Sequence, residues 1–149
     1  MLILTFQICS LTAALSTALL AGTYFIFHNT VMQVLAEQGS MKTMNRINEV
    51  ILNRTFLALF MLSPVSSLLL LVTGLAEGIL DIQTPVLYGA LLSILGFVIT
   101  IRFNVPLNDR LARSVEIDKN RWKRYLVHWV AWNQRRYYIS TLALAGLIV

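Results

Sequence analysis

Residues 2–27, LILTFQICSLTAALSTALLAGTYFIF, decide the fold class, because the stretch carries no charged side chain. It exceeds the about 20 apolar residues that a helix needs to cross a hydrocarbon core. Residues 56–76 and 82–101 are two further uncharged runs of sufficient length. Residues 137–149 are also uncharged but number only 13, about 20 Å of helix. A fourth span must therefore begin near Trp129 and draw Arg135 and Arg136 below the surface. The expectation is an all-α integral membrane four-helix bundle. It forms one domain over 1–149, with spans at about 2–27, 56–76, 82–101 and 129–149.

Composition agrees. Of 149 residues, 57% are hydrophobic and 13% charged, where a soluble domain carries about 25% charged residues. That excludes a disordered tail. Twelve Lys and Arg against seven Asp and Glu give a formal charge of +5. The basic residues are spread too thinly through apolar sequence to suggest a nucleic-acid partner. A single cysteine, Cys9, excludes an internal disulfide framework and a four-cysteine zinc site. No Lys or Arg precedes Lys42, and the first apolar run outlasts the about 7–15 residues of a signal-peptide core. It reads as a retained helix.

The loops alternate in sign. Residues 37–55 hold Lys42, Arg46 and Arg54, residues 77–85 hold only Glu77 and Asp81, and residues 102–136 hold nine of the twelve basic residues. Basic loops stay cytoplasmic, which places both termini outside, in a plasma or other inner membrane. Thr84-Pro85 reads as an N-cap and first helical position, and Pro64 as a kink inside the second span. Ala14, Ala18 and Gly22, and likewise Gly74 and Gly78, recur at the four-residue spacing that lets helix backbones approach. Glu37–Ser40 reads as the break between the first two helices.

The polar residues converge. Tyr24, His28 and Asn29 lie at the inner end of the first helix; Asn45, Asn48 and Asn53 precede the second; Arg102, Asn104 and Asn108 end the third. Before the fourth, Trp122, Tyr125, Trp129, Trp132, Asn133 and Arg136 fall within about a 100° arc, one helical stripe with His128 outside it. Thr17, Ala21, Tyr24, His28 and Met32 form a stripe on the first helix. Pro106 leaves the Arg102 carbonyl without its usual donor. Asn104 and Asn108, four apart, share a face if the helix continues. Amides, aromatics, a histidine and an arginine at membrane depth point to a pocket for a flat, partly polar molecule.

Other roles fit the same residues. The tryptophans suit an interfacial belt. Arg102 and Arg135 can extend to headgroups, and His128 suits an interfacial position. Met32, Met41 and Met44 suit either gap filling or a soft metal such as copper. No metal site is expected. No glycine-rich phosphate loop, HExxH, CxxC or CxxCH occurs, and no acidic residue lies well inside a span. Haem or another pigment held by His28 or His128 is the cofactor alternative.

Four segments occur in a telling order: Gly22-Thr-Tyr-Phe-Ile-Phe-His-Asn-Thr-Val-Met32; Met44-Asn-Arg-Ile-Asn48 with Asn53 and Phe56; Asn104-Val-Pro-Leu-Asn108 with Leu111-Ala112; and Trp122-x-x-Tyr125-x-x-x-Trp129-x-x-Trp132-Asn133-x-x-Arg136. Together they resemble the anthrone oxygenase-like family of small four-helix membrane proteins. The resemblance implies cofactor-independent oxygenation of a polycyclic phenolic or quinol-like substrate, in which a base removes an acidic carbon-bound proton and the carbanion meets O₂. It implies His28 as base, with Asn133 and Arg136 completing the catalytic set. Asn104 and Asn108 join those two in stabilising the oxyanion, Trp129 and Trp132 stack on the rings, and Tyr24 and Asn48 complete the substrate contacts. Gln134 stands where many relatives have histidine, and Arg54 where relatives often have proline. The alternative is a noncatalytic accessory subunit of a larger membrane complex that binds lipid, pigment or haem.

Overall fold

The computed structural model describes residues 1–113 and 119–149, and every regular element among them is helical. Helix α1 (Leu2–Ile26) passes through a π turn (Phe27–Val31) into α2 (Met32–Gln38), forming one continuous run. Gly39, with φ of 63°, ends that run in the left-handed region that glycine adopts without strain. Ser40 then accepts from the Thr43 amide at 3.2 Å, opening α3 (Met41–Ile51). Asn53 accepts from the Phe56 amide at 3.0 Å and opens α4 (Arg54–Ala76). Helix α5 (Pro85–Ile99) continues through a second π turn (Thr100–Asn104) into α6 (Val105–Ala112), and α7 (Lys119–Leu147) closes the chain.

Three of these runs, Leu2–Gln38, Arg54–Ala76 and Pro85–Ala112, are long and apolar enough to cross a membrane. Several sequence expectations need correction. Residues 37–55, expected as a loop, contain α3, so the described helices form five runs rather than four. The third helix does not end at Pro106. The Val105 amide reaches back five residues to the Thr100 carbonyl, and the wider register of that π turn carries the helix past Pro106, the second residue of α6 and one without an N–H. Thr84 is the N-cap residue of α5, yet its hydroxyl caps nothing; it donates instead to Asp81 Oδ1 at 2.9 Å.

The long helices touch in the sequence α1–α4, α4–α5, α5–α7 and α7–α1. Helix backbones meet at Gly89 and Gly146, where a Cβ on Gly89 would sit 2.6 Å from the Leu147 amide nitrogen. Gly22, by contrast, is exposed with open space around its Cα. Small residues are needed only where the backbones meet.

Midway along this ring lies a closed hydroxyl cluster. Thr17 Oγ1 is 3.0 Å from Ser63 Oγ and 3.1 Å from Ser93 Oγ, and the two serines are 2.7 Å apart. Three hydroxyls, each with one proton to donate, satisfy one another in a ring. Nearer the α2, α3 and α6 end, Met32, Met41 and Met44 are buried with Leu35, Leu111 and Trp122. Their thioethers fill the irregular space between short helices.

Candidate functional site

Both π turns lie against α7, and between them they build the site. A π turn widens the hydrogen-bond register by one residue, re-aims side chains and recurs at functional positions. Asn133 donates to the Tyr24 carbonyl, three residues before the first π turn, at 2.9 Å. Its Oδ1 accepts from Arg136 Nη2 at 2.7 Å. Arg136 Nη1 donates to Thr100 Oγ1, in the second π turn, at 3.3 Å. The guanidinium lies 4.3 Å from the Tyr24 ring centroid and 5.5 Å from that of Trp129, within cation–π range.

Arg136 is 6% exposed. Among the described residues the one salt bridge is Arg46–Glu49, so no carboxylate of theirs balances this cation. A buried charge without an opposite partner is costly and persists only where surrounding dipoles hold it. The site keeps it there beside further unmet polar groups. Asn104 is 1% exposed, yet neither its Oδ1 nor its Nδ2 has a partner, and Arg136 Nε and Asn48 Nδ2 are likewise buried and unbonded. Buried polar atoms are bonded almost without exception in folded proteins, so this concentration of orphans marks a place where something else bonds.

These groups line one cavity of about 190 Å³, together with Tyr24, Asn108, Trp129 and Asn133. Asn108 is fixed by two donors to its Oδ1, the Tyr125 hydroxyl at 2.9 Å and Trp129 Nε1 at 2.8 Å. Its amide NH₂ remains to donate elsewhere. Phenyl faces of Phe27, Phe56 and Phe60 supply the apolar wall.

Seven residues expected at the site, Tyr24, Asn48, Asn104, Asn108, Trp129, Asn133 and Arg136, thus share one cavity. Two do not. His28 lines a separate open groove with Met32, Gln33 and Gln134, where its Nδ1 has no partner and its ring stacks on Tyr137 at 6.0 Å. The stripe that grouped it with Tyr24 assumed 100° per residue, and the π turn over Phe27–Val31 breaks that phase. Trp132, at the edge of its arc, stacks on Phe103 at 3.6 Å and lines the surface beside Arg102. His128 faces an arginine-lined cavity and not the His28 groove, so the two histidines do not face one ligand. Thr100 went unread by the sequence argument. Its position four residues before Asn104 was the available signal.

Residues 51–146, well over half of the chain, match the family described as Anthrone oxygenase. The chain belongs to the anthrone oxygenase family. The matched segment includes Thr100, Asn104, Asn108, Trp129, Asn133 and Arg136, while Tyr24 and Asn48 lie ahead of it. No curated protein and no solved structure matches this chain.

Proposed function

We propose that this anthrone oxygenase family member is a single-domain integral membrane protein with four spans. In this reading α7 is the fourth span, both termini lie outside and the basic loops are cytoplasmic. It carries out cofactor-independent oxygenation of a polycyclic phenolic or quinol-like substrate in the Asn104–Arg136 cavity. One observation carries the reading: Arg136 is buried without a carboxylate among the described residues, beside the orphaned amides of Asn104 and Asn48.

A site of this kind is complementary to an oxyanion. An opposite charge within about 4–6 Å favours the ionised form of an acid, so Arg136 lowers the cost of an enolate or phenolate bound against it. Asn104, Asn108 and Asn133 supply oriented dipoles that need no reorganisation as the charge develops. The anion is electron-rich at the ring carbon and passes electrons to O₂. For a ring methylene, CH₂ plus O₂ gives C=O plus H₂O, with one oxygen atom kept by carbon. Trp129 flanks the rings. Arg136 stabilises the anion; the first ring proton passes to buffer and returns to the peroxide anion, leaving in the water formed, with no base role for His28, which faces another groove.

The test is O₂ uptake by the full chain in phosphatidylcholine nanodiscs supplied with anthrone. The expected result is consumption of one O₂ per quinone formed, above the protein-free rate. A rate equal to the protein-free control for anthrone and its hydroxylated derivatives overturns the reading. The accessory-subunit alternative has its own support in the unpartnered His28 Nδ1. It predicts a visible chromophore or a larger partner on purification in mild detergent.

A further inference from the structure

The residues that line the cavity divide sharply by exposure. The exposed ones are Leu52, Leu57, Ile101 and Val105, at 61%, 42%, 48% and 38%. All four are aliphatic. Arg136, Asn133 and Asn104 are at or below 6% exposed and form the inner wall, with the amides of Asn48 and Asn108 half-buried between them and the lips. Leu52 sits in the break before α4 and Leu57 in its first turn, while Ile101 and Val105 stand one turn apart on the Pro85–Ala112 run. Both helices are long and apolar enough to cross a membrane.

The neighbouring cavity at the α6–α7 end shows the opposite character. Arg110, Arg113, Arg121, Arg124 and His128 line it together with Leu107, Leu111 and Tyr125, so basic side chains reach its surface where the first cavity has only aliphatic ones. A charged solute crossing four aliphatic side chains would lose its hydration before reaching any compensating group. A neutral one loses little.

We infer that the cavity opens sideways into the acyl phase of the membrane between Leu52 and Leu57 on one side and Ile101 and Val105 on the other. It is loaded by a neutral, bilayer-dissolved flat amphiphile whose polar end meets Arg136, Asn104 and Asn133 at the inner wall. This rests on reading the cavity as the functional site. It adds the form in which the substrate arrives: uncharged, from lipid, without a water-filled path. The lips then act as a specificity filter against sulfonated, phosphorylated or glycosylated analogues, which carry a charge or a hydration shell that the bilayer rejects.

The experiment reads access and not turnover, so loss of the oxygenase reading leaves it interpretable. The full chain with Trp129 as its one tryptophan (Trp122→Phe, Trp132→Phe) is placed in phosphatidylcholine nanodiscs. Quenching is compared between phosphatidylcholine brominated in the upper half of its acyl chains and iodide in the buffer. The brominated lipid is expected to quench Trp129 and iodide to leave it bright. Filling the lips with Leu57→Phe and Val105→Phe is expected to remove about half of the lipid quenching, because the acyl chain no longer reaches inward. Equal quenching by iodide, no quenching by the brominated lipid, or indifference to the lip substitutions overturns the inference.

If the tryptophan substitutions prevent folding, Leu57→Cys and Val105→Cys in a Cys9→Ala chain give a second readout. Bilayer-dissolved pyrene maleimide is expected to label both positions about tenfold faster than a charged aqueous thiosulfonate, which must leave water to arrive. Equal or reversed rates overturn the inference.

Discussion

Two buried polar clusters lie within the same bundle and behave oppositely. In the ring of Thr17, Ser63 and Ser93, every hydroxyl bonds to the other two. In the cavity, Asn104 has no partner on either side-chain atom, and Arg136 keeps its Nε unbonded. The first cluster joins α1, α4 and α5 and asks for nothing more. The second leaves donors and acceptors unmet. In a low-dielectric interior a satisfied network rigidifies, while an unsatisfied one costs stability that a ligand can restore. Burial of polar groups alone does not separate structure from function; the state of their hydrogen bonds does.

Substitutions in the two clusters should therefore diverge, and the largest effect is expected at Arg136. Arg136→Gln removes the cation facing the developing oxyanion and should lower turnover of anthrone about 10²–10³-fold, measured as O₂ uptake. Retained helicity by circular dichroism would confine the loss to the site. Asn104→Leu comes next and should split the two properties. It removes an orphaned amide whose burial costs about 1–3 kcal/mol, so the thermal midpoint should hold or rise while turnover falls. A falling midpoint with normal turnover would place Asn104 in the structural class.

Thr17→Val should do the reverse. Breaking the ring costs about 0.6–1.7 kcal/mol, the range for hydrogen bonds between membrane helices. The midpoint should drop with turnover unchanged. Smaller still is Asp81, whose pKa the Thr84 hydroxyl and then the Gln83 amide hold below its ordinary value of 3.8. A depressed folded-state pKa gives stability that is present above the unfolded value and is lost as pH falls through the folded one. The difference in midpoint between the wild type and Asp81→Asn should therefore be present at neutral pH and close at the acid end of a titration. The least effect is expected from His28→Ala, with turnover staying within about twofold, because His28 faces a different groove from Arg136. A hundredfold loss there would return the histidine to the chemistry and overturn the division drawn between the two cavities.

Much of the site was legible because it lies on regular helix. The stripe of Trp122, Tyr125, Trp129, Asn133 and Arg136 follows from a 3.6-residue period, and all five are buried along α7. Asn104 and Asn108 share the cavity because the helix continues past Pro106. His28 was misplaced because the period is not constant through a π turn, and Trp132 because a position at the edge of a 100° arc can face either neighbour. The Gly89–Gly146 contact and the hydroxyl ring join residues 30 to 76 positions apart, and no local pattern encodes such pairings.

The sequence by itself determined the helical class, three apolar helices of membrane-crossing length and the aromatic stripe of α7. Each follows from hydropathy and period, which are local properties of the chain. Only the tertiary structure decided which polar side chains end up bonded and which are left open. That depends on the rotation of each helix against its neighbours, and in this protein two π turns set the rotation where the cavity forms.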